Sequence, residues 1–263
     1  EILIGLVGSE MCIRDRDGMV AELRKKGILM QYITQWSQID LSHYNNSEIT
    51  TLEEHIKRKW ADISAETAGE QYTPEDIISL IAEIVAAKID ISTDDFVHIY
   101  DPTCGSGSLL LRAKAETPTD ATLYGQEKDN ATVGLAKMNM ILHNDPYAII
   151  KQGDTLNDPQ YKDESGNLQT FDFVVANPPF STKSWLKGAK EEDQYHRWGS
   201  SIGVPPEKNG DYAFLLHIVR SIKQTGCGAC ILPHGVLFRG NAEAQIRKYL
   251  VAVSYTHLTL PTT

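Results

Sequence analysis

The run FDFVVANPPF at 171–180 constrains this chain more than any other stretch, because it fixes a buried strand, the point where it stops and the groups that stand there. Phe173, Val174 and Val175 are apolar on both faces, as a strand inside a parallel sheet must be. Two consecutive prolines lack the N–H that a continuing ladder needs, so Asn177 is left at the strand's carboxyl end. Open α/β sheets bind their ligands at that end. The side-chain oxygen of Asn177 and the carbonyl of Pro178 can each accept one N–H of a planar exocyclic amine, whose lone pair is otherwise delocalised into its ring. Drawn toward tetrahedral geometry, such a nitrogen can attack a methyl carbon, and Phe180 offers the ring a face for stacking. Standing alone, the motif would better suit an ordinary strand ending in a Pro-Pro turn; its companions tip the reading the other way.

Strands and helices alternate around it. Phe96–Tyr100, Thr122–Gly125, Ala148–Lys151, Phe173–Val175 and Ala229–Leu232 have strand character, and 108–116, 129–143 and 211–224 have helical patterns. A further amphipathic helix is expected over Asp76–Lys88, with Thr73 as N-cap, Pro74 in the first turn and acidic residues following. The alternation predicts an α/β fold built on a doubly wound, mostly parallel sheet. Residues 17–68 are polar, helical in pattern and strand-poor, with Trp36, Ile39, Leu41, Leu52, Ile56 and Trp60 as apolar anchors, so they read as the remnant of a helical domain ahead of a catalytic domain at 69–252. Ser181–Asn209, rich in charge, Trp, Gly and Pro, reads as a long loop beside the site, of the kind that is often functional or mobile.

The loop after the first strand, DPTCGSGSLLL, is the second strong signal. Asp101 ends the strand, Gly105 and Gly107 allow close approach of backbone to a ligand, and the leucines open a helix facing the same crevice. No Gly-Lys-Ser/Thr follows, which excludes a P-loop, and Ser108 and Leu110 stand where a dinucleotide fingerprint needs glycine. Glu127 ends the second strand, where a carboxylate can accept both hydroxyls of a ribose, and Asp154 in KQGDTL ends the third, suited to the amino group of an adenine ring. Three acidic strand ends and a glycine turn describe a nucleoside pocket without a phosphate clamp, which fits S-adenosylmethionine better than a nucleotide.

The termini stand apart. MCIRDR at 11–16 can be encoded by ATGTGTATAAGAGACAG plus one base, and the reverse complement of that string reads in one frame as VSYTH, the peptide at Val253–His257. Residues 1–16 and 253–263 are therefore expected to derive from translated sequencing adapter, leaving 17–252 as an internal piece of a longer gene. Setting aside Arg14, Arg16, Glu1, Glu10 and Asp15 reduces the 25 basic and 35 acidic residues to 23 and 32, a net charge of −9. A chain that grips DNA alone usually carries a basic footprint, so action on DNA would need a partner or a further segment for the phosphate contacts. Cys104, Cys227 and Cys230 read as reduced thiols of a cytoplasmic protein, since the CxxC shows no second pair of zinc ligands. No apolar run reaches membrane-spanning length.

GEQYTPEDIISLI, DPTCGSGSLLL, LYGQEKDNATVGLAKMNMILHND, GDTL, FDFVVANPPF and the segment from Gly210 to Leu250 together resemble the ordered motifs of the DNA adenine-N6 methyltransferase (modification) subunit of type I restriction-modification systems, over about Gly69 to Leu250. The resemblance implies a class I S-adenosylmethionine-dependent methyltransferase fold, truncated in its C-terminal strands. It implies cofactor contacts from Glu70, Gln71, Tyr72, Thr73, Pro74 and Glu75, from Asp101, Gly105, Ser106, Gly107 and Ser108, and from Glu127 and Asp154. Asn177, Pro178, Pro179 and Phe180 become the catalytic tetrapeptide, with no metal required. The implied partners are double-stranded DNA, a separate specificity subunit, a second modification subunit and a restriction subunit. Methylation of a protein glutamine or of ribosomal RNA at a similar Asn-Pro-Pro-aromatic site, or a non-catalytic assembly role, are the alternatives.

The remaining candidates have simpler readings. His98 alternates on a strand and suits packing or an edge, while His143, His196, His217 and His234 lack the carboxylate spacing of a metal site. His234, in LPHG, ends the fifth strand and either packs or faces the target. Met138 and Met140, with Leu135 and Ile141, read as core filling, and Lys183, Lys187 and Lys190 as a solvated loop.

Overall fold

In the computed structural model, which describes residues 20–21, 23–38, 75–89, 96–185 and 192–253, five parallel strands make one sheet. β1 (Phe96–Asp101) lies between β2 (Asp120–Glu127) and β4 (Phe171–Ala176), with β3 (Ile149–Gln152) outside β2 and β5 (Ile222–Cys230) outside β4. The order β3-β2-β1-β4-β5 reverses direction between β1 and β4. The helices are α1 (Leu29–Ser37), α2 (Glu75–Ala86), α3 (Ser108–Glu116), α4 (Asn130–Leu142), α5 (Asp211–Arg220) and α6 (Asn241–Ala252), and a 3-10 turn spans His234–Leu237.

Both faces of the central strands are buried, which is why they read as unbroken apolar runs. Phe173 and Val175 of β4 join Val97 and Ile99 of β1 in a core completed by Ile81 and Val85 of α2, Leu109 and Leu110 of α3, and Val133, Ala136 and Met140 of α4. Val174 and Ala176 face the other way, with Tyr100, Tyr161, Phe171 and Ile218 of α5. Helices thus cover both sides, as expected of a doubly wound sheet.

Three expectations are corrected. The helix predicted over 211–224 ends at Arg220, where Ser221 donates its N–H to the carbonyls of His217 and Ile218. The chain enters β5 at once: the Ser221 carbonyl accepts the Phe171 N–H, so the strand runs over Ile222–Cys230 and not Ala229–Leu232. An irregularity opposite Phe171 and Phe173 absorbs several of its residues, and the strand is only partly buried, so it lacks the apolar run of a central strand. Among the proposed core fillers of α4, Met140 is buried but Ile141 is 43% exposed, because Val133, Ala136 and Met140 share the inward stripe and Ile141 lies one residue off it. Within Ser181–Asn209 the described residues form no helix or regular strand, yet Trp185, Trp198 and Ile202 are buried against Leu156, α5 and α6. The described part of that stretch is thus the long loop expected, with its aromatic residues packed inward and Lys183 exposed.

His98, on the central strand, donates its backbone N–H to Asp172, sets its Nδ1 3.2 Å from the same oxygen and packs on Phe96 and Tyr124, the packed one of the two places expected for it. The cysteines at 104, 227 and 230 are free thiols. Among the described residues no group of His, Cys, Asp and Glu is arranged to hold a metal ion, and no helix is long and apolar enough to cross a membrane. The side chain of Trp36, the anchors at 39–60, the Glu70–Pro74 segment with its proposed cap, Lys187, Lys190 and the segments 1–16 and 254–263 lie outside the described residues.

Candidate active site

The strand order sends the chain leaving β1 and the chain leaving β4 out of the sheet as neighbours, since Ile99 pairs with Phe173 and Tyr100 with Val174. Ligands of open α/β sheets sit at this switch in direction.

Asp101 closes β1 with its carboxylate turned into the following loop, where Oδ1 accepts the Thr103 N–H at 2.8 Å. Burial pushes its carboxyl up to about 7, against the downward pull of the Thr103 bonds. The loop turns through Gly105 at φ 53° and Gly107 at φ 85°, left-handed values that disfavour a side chain. Gly107 is doubly constrained, because a Cβ there would collide with the Met140 methyl. Beside Met140, the buried Asn139 donates Nδ2 to the Ser106 carbonyl at 2.9 Å, so α4 supports the loop by a hydrogen bond and a methyl contact. The Ser106 and Ser108 hydroxyls lie 2.9 Å apart as the chain enters α3. Burial drives the Cys104 thiol well above its ordinary range, leaving it a packing group.

The loops after the first three strands are tied together. Glu127 Oε2 accepts the Gly105 N–H at 3.1 Å and its Oε1 accepts that of Asp129 at 2.9 Å. The Glu127 carbonyl accepts the Gly153 N–H at 2.9 Å, and the Thr155 hydroxyl donates to the Pro102 carbonyl. Asp154 lies 2.8 Å from Lys128 Nζ and accepts the N–H groups of Leu156 and Asn157. Burial raises its carboxyl pKa, but the Lys128 and Asn157 bonds outweigh that and hold it below the usual range. Asp101, Gly105–Ser108, Glu127 and Asp154 are thus gathered at one end of the sheet, while Glu75 begins α2.

On the β4 side, the Ala176 carbonyl accepts the Ile231 N–H at 3.0 Å, and Asn177 follows half-buried. Pro178 is buried, Pro179 exposed, and Phe180 is 45% exposed. Ser181 then takes φ 53°.

Several residues here carry no motif signal. Arg197 is buried in the layer after the tetrapeptide, where Asp193 takes it at 2.8 and 2.9 Å and the carbonyls of Thr155 and Leu156, next to Asp154, accept it at 3.1 and 2.7 Å. Its guanidinium lies 4.3 Å from the Trp198 ring and 3.1 Å from His217 Nδ1. A guanidinium only donates, so His217 Nδ1 is the bare nitrogen and Nε2 carries the proton toward the Tyr100 oxygen, 3.3 Å away. Burial, helped by the Arg197 charge, drives the His217 imidazole pKa well below its ordinary value. The density of aromatic residues in YHRW at 195–198 is the sequence sign of this packing.

The chain matches the profile of the family described as N-6 DNA Methylase over residues 48–262. The methylase subunit of the type I restriction enzyme MpnII of Mycoplasma pneumoniae is 34% identical over 237 residues, covering 85% of this chain and 42% of that protein. The MjaIX methylase subunit of Methanocaldococcus jannaschii is 29% identical over 229 residues, covering 83% and 39%. A crystal structure of a type I restriction-modification system methyltransferase subunit from Streptococcus thermophilus superposes with a TM-score of 0.62 at 40% identity, over 70% of this chain and 39% of that one. A class I S-adenosylmethionine-dependent methyltransferase structure from Listeria monocytogenes superposes at 0.58 with 18% identity, over 88% and 67%, a likeness of fold alone. The fold is that of the class I methyltransferases. The chain spans about two fifths of the length of the curated relatives it matches.

Proposed function

Since the chain belongs to the N-6 DNA methylase family, we propose that it is the catalytic part of a type I modification subunit that methylates N6 of adenine in DNA. The observation that carries the proposal is the convergence of the glycine loop after β1 and the Asn-Pro-Pro-Phe turn after β4 at the sheet's reversal.

The residues of the first three loops suit S-adenosylmethionine, which supplies an electrophilic methyl group when bound. Gly105 and Gly107 keep the loop low against a ligand, Glu127 presents a carboxylate suited to vicinal hydroxyls, and Asp154 stays anionic for a ring amine. Asp101 shapes the loop from within, and Ser106, Ser108 and the Glu70–Glu75 segment complete the proposed contacts. Asn177 and Pro178 accept the two N–H bonds of the adenine amino group, localising its lone pair, while Phe180 stacks on the base once it leaves the duplex. Catalysis is then chiefly positioning of an in-line transfer. The acidic balance supports a division of labour in which a specificity subunit reads the DNA; a second modification subunit, a restriction subunit and a cytoplasmic setting complete the proposed assignment, by the likeness to type I methylase subunits. The segments 1–16 and 253–263 are assigned to adapter-encoded sequence.

The test is transfer of labelled methyl from S-adenosylmethionine to duplex DNA by the full-length subunit with its specificity partner, the product being identified as N6-methyladenine. Asn177→Ala should lower the rate on the order of 100-fold with cofactor affinity little changed. Near-normal turnover in that variant overturns the assignment.

A further inference from the structure

We propose, resting on the functional reading above, that Asp211 is a positioning residue for the catalytic tetrapeptide. Ser181 directly follows Phe180 and holds φ 53°, a left-handed conformation that a residue with a side chain keeps only when its surroundings impose it. Here the Ser181 N–H donates to Asp211 Oδ1 at 2.7 Å, and the Asp211 side chain is buried. Asp211 is the first residue of α5, and its own N–H is held by Asn209 Oδ1 at 3.2 Å. The next residues repeat the tie, since the Gly210 N–H donates to the Thr182 carbonyl at 2.9 Å.

The other carboxylate oxygen faces the loop after β5. Arg239 Nη1 lies 2.9 Å from Asp211 Oδ2 and 3.3 Å from Glu243, and its guanidinium packs so tightly over Gly235 that a Cβ there would touch it. One carboxylate therefore fixes the turn leaving the tetrapeptide with one oxygen and, through Arg239, the loop after β5 with the other. The turn sets where the Phe180 ring stands relative to Asn177, three residues before it. Without the Ser181 bond the turn is free to relax out of its left-handed geometry, and the stacking face leaves its register with the two amine acceptors.

The test uses the full-length subunit with its specificity subunit, on duplex DNA and on the same duplex with 2-aminopurine at the target adenine. Asp211→Ala should lower kcat roughly 10- to 100-fold, a loss of alignment, with S-adenosylmethionine affinity unchanged, KM for DNA within a few-fold and a smaller 2-aminopurine signal. Asp211→Asn keeps an oxygen for the Ser181 N–H but sets an amide NH2 against Arg239, so it should retain more kcat than the alanine variant, within about 10-fold of wild type. Ser181→Gly added to Asp211→Ala should recover several-fold in kcat, because glycine takes a positive φ without support. An Asp211→Ala enzyme with normal cofactor affinity and kcat within about twofold of wild type overturns the proposal, as does an Asp211→Asn enzyme as slow as the alanine variant. If Asp211→Ala does not fold, Asp211→Asn decides alone, and a kcat lowered more than about 10-fold from wild type overturns the proposal. A wild-type complex that methylates no adenine instead defeats the functional reading, so the two failures are told apart.

Discussion

Glu127 accepts the N–H of Gly105 at 3.1 Å, so the carboxylate at the end of β2 and the turn after β1 move as one piece. A second amide, from Asp129, occupies the other oxygen. Any group that Glu127 also serves is thereby aligned with the glycine turn.

Under the proposed assignment, Glu127→Ala should weaken S-adenosylmethionine binding about 10- to 100-fold, the range for losing hydrogen bonds to a charged group, because it would remove the ribose acceptor and loosen Gly105 together. Glu127→Gln, which retains one acceptor oxygen, should fall between that variant and wild type. Calorimetric titration of the full-length subunit measures both; an alanine variant of unchanged affinity would move the pocket elsewhere.

Phe180 leaves 45% of its surface open at a site where burial would otherwise be favourable. Phe180→Ala should cost about 1 to 3 kcal/mol of stacking on the extruded base, seen as weaker binding to DNA whose target pair is mismatched, while Phe180→Trp should retain it. Equal binding by all three proteins would deny the ring that role.

Arg197 and Asp193 are both buried, so removing one leaves the other charged and uncompensated. Arg197→Leu should destabilise the subunit by about 3 to 5 kcal/mol in urea unfolding, and adding Asp193→Leu should recover part of that loss. A single variant within about 1 kcal/mol of wild type would mean that the pair behaves as an exposed one.

Two buried groups set opposite pH responses. The His217 pKa is depressed from 6.5, so the unfolded chain binds more protons once pH falls below about 6.5, and the stability gained from neutral His217 is lost in that direction. The Asp101 pKa is raised from 3.8 to about 7, so the folded chain binds more protons between those values; its contribution is fully present below 3.8 and lost as pH rises through 7. Between pH 7 and 5, His217→Gln should flatten the loss of Tm on acidification and Asp101→Asn should steepen it. Parallel Tm profiles for wild type and both variants would contradict these protonation states.

The strands that carry the site were legible because burial on both faces writes itself as an apolar run: Val174 and Val175 face opposite cores, and the prolines after them mark the end. β5 was legible only in its last residues, since a strand partly open along its length tolerates Lys223, Gln224 and Thr225. The tetrapeptide and the glycine loop are contiguous in the chain, so both can be recognised without knowing what packs against them. Asp211 gives no such sign, as its partners Ser181 and Arg239 lie 30 and 28 residues away along the chain. Trp185 and Trp198 likewise look like loop residues until α5 and α6 are packed against them.

The acidic balance of the chain makes a prediction about partners. The full-length subunit alone should bind duplex DNA weakly and without sequence preference, and addition of its specificity subunit should give tight, salt-sensitive binding at one sequence. Fluorescence anisotropy across a salt series reads both. Efficient site-specific methylation by the single polypeptide would place the recognition function within it.

The reversal of strand order between β1 and β4 has a consequence for how such an enzyme can change. In the proposed assignment the methyl donor is handled by the loops of β1, β2 and β3, on one side of the divide, and the acceptor by the loops of β4 and β5, on the other. The hydrogen bonds that knit the donor loops run among Pro102, Gly105, Glu127, Gly153 and Thr155, and those around the acceptor turn run among Ser181, Asp211 and Arg239. Apart from the ties that Arg197 makes to the Thr155 and Leu156 carbonyls and Asn157 to the Trp185 carbonyl, each side is braced by its own bonds, so the accepted amine can be altered by redrawing one half of the sheet's rim while the other half goes on presenting the same donor.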